Sequence, residues 1–188
     1  MPLSPSAPRR EIHHRVIAMK AYAREDGLYD IEAHLVDRKR YESVQFSSGD
    51  SRPAGEPIHD LSVRVTVDDD YVVRAIEASS DVTPYPLCKE AESTLQVIVG
   101  ERIASGWSTR VKQHLRGAAS CTHLMEMLIP LGTTAYQGIR SLQRAASGKV
   151  GAHAEVRVDS CYAYGAHRAV IREFWPQHYR PLEPTTKE

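Results

Sequence analysis

No apolar run in this chain approaches the roughly 20 residues a helix needs to span a bilayer. Cysteine is scarce, at 3 among 188 residues, and the number is odd. A disulfide framework is therefore not expected, whereas reduced thiols in the cytoplasm are. Neither sign of charge is in excess, since Lys+Arg and Asp+Glu are 24 each. That balance argues against a dedicated nucleic-acid binder, which carries a basic excess. It argues equally against a protein held on a membrane surface by charge. Met1 to Arg10 contains Pro2, Pro5 and Pro8 and no apolar stretch. This segment is expected to be a flexible tail and not a secretory signal. No phosphate loop, dinucleotide fingerprint, nucleophile elbow or zinc-protease motif is present.

What is there reads as strands first and helices afterwards. Ile12 to Arg24 and Leu28 to Asp37 flank Asp26-Gly27, a strong hairpin signal. In the second of these, Tyr29, Ile31, Ala33 and Leu35 share one face, against Asp30, Glu32 and His34. Lys39 to Pro57 is expected to be a loop, with Ser47-Ser48-Gly49-Asp50 and Pro53-Ala54-Gly55. Ile58 to Val67 alternates again, Asp68-Asp69-Asp70 turns the chain, and Tyr71 to Ala78 forms a fourth strand. The period then changes. Lys89 to Val99 is expected to be a helix with Ala91, Leu95 and Ile98 inward. Ser108 is expected to cap a short helix ending at Gly117. A long helical pattern opens at Cys121 and runs through Leu124, Leu128, Ala135, Ile139 and Ala146, with Pro130 expected to kink or divide it. His153 to Asp159 reads as a late strand. The fold class is α+β: an antiparallel meander of about four strands plus one late strand, with helices on one face. Residues 11–180 are expected to form one domain between flexible tails at 1–10 and 181–188.

Chemistry concentrates in the cysteines and a few histidines. Cys88, Cys121 and Cys161 all fall where one element hands over to another, and thiols so placed can converge on a borderline metal. Cys121 also opens a helix, where free N–H groups favour a thiolate. The alternative is that all three thiols simply pack. His123 and Glu126 are three apart on one helix face, suited to metal ligation, to proton exchange or to a surface pair. His59 is in phase with Leu61 and Val63, so it faces the core and must be hydrogen-bonded, a ligand or a base. Asp60 points the other way unless a bulge intervenes. Arg24, Asp26, Asp30 and Glu32 crowd the first hairpin as a solvated charge network.

Four segments together resemble a bacterial family, the domain of unknown function 2889. They are Arg24-Glu25-Asp26-Gly27-Leu28-Tyr29-Asp30-Ile31-Glu32, Ala54-Gly55-Glu56-Pro57-Ile58-His59-Asp60, Pro84-Tyr85-Pro86-Leu87-Cys88 and Cys121-Thr122-His123-Leu124. The likeness runs from Pro8 to Trp175. It puts His59, Asp60, Cys88, Cys121, His123 and Glu126 on the family's motif positions, and Cys161 in Asp159-Ser160-Cys161 as well. Ser120 stands where a Gly is expected before the Cys-Thr-His motif. The resemblance implies no activity. A second likeness is architectural. The order sheet, Cys88, Gly100, Cys121 resembles iron–sulfur cluster scaffold proteins of the nitrogen-fixation type. Their middle cysteine is missing here, where Ala104 and Ser105 stand, so a cluster would need Cys161 or His123 in its place.

Three functions follow as expectations. The first is a small cytoplasmic protein with a metal site of Cys88, Cys121, Cys161 and His123, holding zinc or an iron–sulfur cluster. The second is an enzyme of hydrolase or lyase type acting on a small organic substrate, with His59 or Glu126 as base. The third is a non-catalytic binding module with buried thiols. The odd cysteine count and the continuous core patterning lead to a body that folds as one unit without disulfides. Thermal melts with and without reductant are therefore expected to superimpose. A loss of many degrees on adding reductant would contradict this, since removing a native disulfide costs about 2–5 kcal/mol.

Overall fold

The computed structural model describes residues 4–45, 47–147 and 158–182. The chain divides into two compact units, Met1–Leu142 and Gln143–Glu188, each described by itself. The three cysteines are free. Among the described residues no helix is long and apolar enough to cross a membrane.

The first unit is built on a four-stranded antiparallel sheet. Strands β1 (His13–Ala23) and β2 (Tyr29–Lys39) form the hairpin at Asp26-Gly27, where Gly27 takes the left-handed conformation at φ 83°. The following loop folds back on itself through two short strands, β3 (Ser43–Val44) and β4 (Ser51–Arg52). Strands β5 (Pro57–Val67) and β6 (Val73–Val82) complete the sheet in the order β1-β2-β5-β6. This is the expected meander: each long strand lies beside the one that precedes it in the sheet.

The alternation in β2 and β5 decides which face is covered. Ile31, Ala33, Leu35, Leu61, Val63, Val65 and Val67 are all buried. They meet the helical residues Leu95, Ile98, Val111, Leu115, Leu124, Leu128, Leu131 and Ala135 in one core. The opposite face is polar. There Lys20, Glu32, Arg64 and Glu77 form one cross-strand row of alternating charge, with Arg64 paired to Glu32 at 2.8 Å and to Glu77 at 3.2 Å.

Three helical expectations need correction. The segment expected as an α-helix from Lys89 is a long 3-10 helix, Pro86–Ile98. Its Ser93 and Thr94 hydroxyls bond the carbonyls of Glu90 and Ala91, three residues back, which favours the tighter winding. Helix α1 (Trp107–Leu115) begins ahead of Ser108, behind Gly106 at φ 81°. Trp107 sets its start, because its indole N–H donates to the Leu128 carbonyl at 2.8 Å. Helix α2 (Thr122–Ser147) opens beside Cys121 as expected, but Pro130 does not divide it. Both Pro130 and Glu126 are exposed, so the Glu126 carbonyl that loses its donor can turn to water.

In the second unit, helix α3 (Ala169–Phe174) lies between two 3-10 turns, Tyr162–Tyr164 and Pro176–His178. Ile171 and Ala166 are buried, and Asp159 accepts the Ala166 N–H at 2.8 Å. The expected late strand, His153 to Asp159, falls outside the described residues except for Val158 and Asp159, which begin a turn.

Helix α2 lies close against β1. A Cβ on Gly138 would meet the Ala21 Cβ at 2.9 Å, and one on Gly132 would meet the Trp107 indole at 2.6 Å. The Trp107 ring is buried and hydrogen-bonded, so it cannot yield without breaking its bond to Leu128. Gly132→Ala is expected to destabilise the protein by about 1–3 kcal/mol through overpacking. Urea unfolding measures this, and an unchanged midpoint would contradict the close approach.

Candidate functional site

The site begins as one row across three strands. Arg15 on β1, Asp37 on β2 and His59 on β5 are register partners, on the face that carries Leu35 and Leu61. The register shifts between Asp37 and Arg38 and again between Asp60 and Leu61. Such irregularities re-aim side chains at the end of a sheet. Asp60 turns to the opposite face, where it meets His34 at 2.6 Å. The start of α2 supplies the remaining groups: Cys121, His123 and Glu126.

Asp37 is the centre and is fully buried. Oδ1 accepts from Arg15 Nε at 2.7 Å and lies 3.1 Å from His13 Nε2. Oδ2 accepts from Arg15 Nη2 at 2.6 Å and lies 3.1 Å from His59 Nδ1. His123 Nε2 stands 4.0 Å from the same Oδ2. Burial alone would raise the Asp37 pKa. The Arg15 guanidinium and His13 outweigh it and hold the carboxyl at about 2. His59 moves below its ordinary pKa, through burial first and His123 second, although Asp37 pulls it upward. The two imidazoles lie 4.0 Å apart, tilted by 42°.

Cys121 occupies the position just before α2, and its carbonyl accepts the Met125 N–H at 3.0 Å. Its sulfur lies 3.9 Å from His123 Nδ1. Burial would raise this thiol's pKa. The His123 ring and the N–H groups of Leu124 and His123 outweigh burial and lower it. Glu126 is exposed and lies 3.9 Å from Arg15 Nη1, behind the guanidinium.

The structure therefore brings together His59, His123, Cys121 and Glu126 from the sequence-expected residues. Cys88 is half-buried near the start of the 3-10 helix. Cys161 is exposed in the second unit, just before Tyr162. Among the described residues, one group of three His, Cys, Asp or Glu side chains has all its ligand atoms within 4.8 Å of one another: Asp37, His59 and His123. No cysteine belongs to it.

Asp37 and Arg15 were missed by the sequence reading. The signal was the phase of β2, since Asp37 continues the row Ile31, Ala33, Leu35 by one more step. A charge in phase with a buried row needs a partner, and Arg15 has the matching place on β1.

A family model matches residues 13–137. The chain belongs to the family described as Protein of unknown function (DUF2889). No curated protein and no solved structure matches it. The match takes in Arg15, Asp37, His59, Cys88, Cys121, His123 and Glu126, and it ends before Cys161. The likeness to iron–sulfur scaffold proteins gains no support from these comparisons.

The depressed pKa of Asp37 is a stability statement with a definite sign. Its folded value, about 2, lies below the ordinary 3.8, so ionisation favours the folded state. That stabilisation is fully present above pH 4 and is lost as pH falls toward 2, a change of about 2 kcal/mol. Unfolding free energies of the native chain and of Asp37→Asn, measured by urea at pH 5 and pH 2.5, test it. The gap between them is expected to shrink at the lower pH, and a gap independent of pH would contradict the assignment.

Proposed function

We propose that this protein binds one divalent ion of the zinc or ferrous class through His59, His123 and Asp37. The observation that carries the reading is the convergence of these three ligand atoms within 4.8 Å. Two imidazoles and one carboxylate suit zinc, and also ferrous iron in sites with open positions. The set contains no thiolate, which favours a single ion over a cluster. Three protein ligands leave room for water or substrate, the pattern of catalytic rather than structural sites.

The geometry supports the ion at a particular place. His59 Nδ1 and Asp37 Oδ2 are 3.1 Å apart and share a proton. An ion bonded to both at about 2.1 Å subtends about 95°, so it replaces that proton without moving either strand. His123 Nε2, at 4.0 Å from Oδ2, has to close by about half an ångström. Arg15 stays on the other lone pairs of Asp37. Its charge opposes the ion, so this site is weaker than a closed zinc site, and Glu126 behind it offsets part of the repulsion.

A second reading is favoured by one observation, the Cys121 sulfur 3.9 Å from His123 Nδ1. It is an enzyme whose thiol attacks a small organic substrate with a histidine as base. Under either reading the three free thiols support a reducing compartment, the cytoplasm.

Metal analysis of the full chain purified without an affinity tag, then reconstituted with zinc or anaerobically with ferrous iron, tests the first reading. About one equivalent is expected in the native chain, and far less in His59→Ala and His123→Ala. A native chain that retains under a tenth of an equivalent after reconstitution would overturn it. Rapid alkylation of that metal-free chain by iodoacetamide at Cys121, slowed in His123→Ala, would carry the second reading instead.

A further inference from the structure

Metal-bound histidines are usually fixed by what the other ring nitrogen bonds, commonly a carboxylate, a backbone carbonyl or water. The strand register places His59, whose Nδ1 faces Asp37. For His123 the group at the other nitrogen is neither a carboxylate nor a carbonyl. Nε2 faces Asp37 at 4.0 Å, and Nδ1 faces the Cys121 sulfur at 3.9 Å.

Cysteine is also an unusual residue for this position. The residue before a helix is commonly Ser, Thr, Asp or Asn, whose oxygen takes the free N–H groups of the first turn. Here a sulfur stands in that place, and the N–H groups of Leu124 and His123 at the helix start help to lower its pKa. The side-chain contact of that sulfur is to His123 Nδ1, at 3.9 Å. Among the described residues the sulfur joins no group of three metal-ligating atoms.

We propose that Cys121 is the positioning residue for His123, accepting the Nδ1 proton so that the Nε2 lone pair is presented to the metal ion. This rests on the metal reading above and adds the cause of the ring's orientation. The two tautomers differ in what they offer on the Nε2 side. With the proton on Nδ1, the ring donates to sulfur and offers a bare Nε2 beside Asp37 and His59. With the proton on Nε2, the ring would turn it toward Asp37 and have no lone pair for an ion on that side. Cys121 is not a ligand in this arrangement, since it lies on the Nδ1 side of the ring while the ion lies on the Nε2 side.

The experiment uses the full chain and zinc alone, in competition with a chromophoric chelator at neutral pH. Cys121→Ser keeps an acceptor for Nδ1 and a cap for the helix, and its zinc affinity is expected within about threefold of the native chain. Cys121→Ala is expected to bind about 10- to 100-fold more weakly, the usual loss when the partner of a ligating histidine is removed. Nitrogen-15 spectra of the His123 ring without metal give an independent readout that helix capping alone would not move. The Nδ1–H tautomer is expected to dominate in the native chain and in Cys121→Ser, and to give way in Cys121→Ala. Equal zinc affinity for Cys121→Ala and the native chain, or a His123 tautomer unchanged by that substitution, would overturn the proposal. If the native chain binds no zinc, the metal reading fails while the tautomer measurement still decides the role of Cys121.

Discussion

Everything at this end of the molecule depends on one buried carboxylate. Asp37 sits in a row otherwise made of Ile31, Ala33 and Leu35, so it cannot reach water. An unpaired carboxylate there would give up its charge or destabilise the fold. Four donors on three residues, Arg15, His13 and His59, surround it instead. The arrangement ties β1, β2 and β5 to one charge and fixes one nitrogen of His59. Because the sheet is antiparallel, the end of β2 and the starts of β1 and β5 lie side by side. The row can therefore form from residues far apart in the chain.

The second half of the chain completes what the sheet begins. Helix α2 starts over that end of the sheet, with Cys121 and His123 at its first turn and Glu126 against Arg15. Farther along, Gly138 allows its close approach to β1 at Ala21, and Gly132 allows its close approach to α1 at Trp107. Packing in the middle of the helix thus sets where its first turn lies. The thiol at that turn, the imidazole two residues on and the buried carboxylate form a chain of contacts from sulfur to Arg15. This continuity is why a metal site and a reactive thiol are two readings of one cluster.

The four long strands and the start of α2 were legible because their signals are periodic. Alternation in β2 and β5 marks the covered face, and it put His59 on that face correctly. Over Lys89 to Val99 the spacing of Ala91, Leu95 and Ile98, four then three apart, fits an α-helix, whereas hydroxyl bonds from Ser93 and Thr94 to carbonyls three residues back favour the 3-10 winding observed over Pro86–Ile98. Asp37 escaped because the apolar pattern of β2 was followed only as far as Leu35. That His59 and His123 would meet at Asp37 was not legible either. Cys121 stands at an element end beside His123, and position at an element end alone does not say which groups meet. Register does, and it was register that joined Arg15, Asp37 and His59.

X-ray absorption at the metal edge of the zinc-loaded chain tests the central claim most directly. Nitrogen and oxygen ligands at about 2.0–2.2 Å, with the outer-shell pattern of two imidazoles and no sulfur, are what this account predicts. A sulfur shell at about 2.3 Å would contradict it, by making the cysteines rather than Asp37 and His59 the residues that hold the ion.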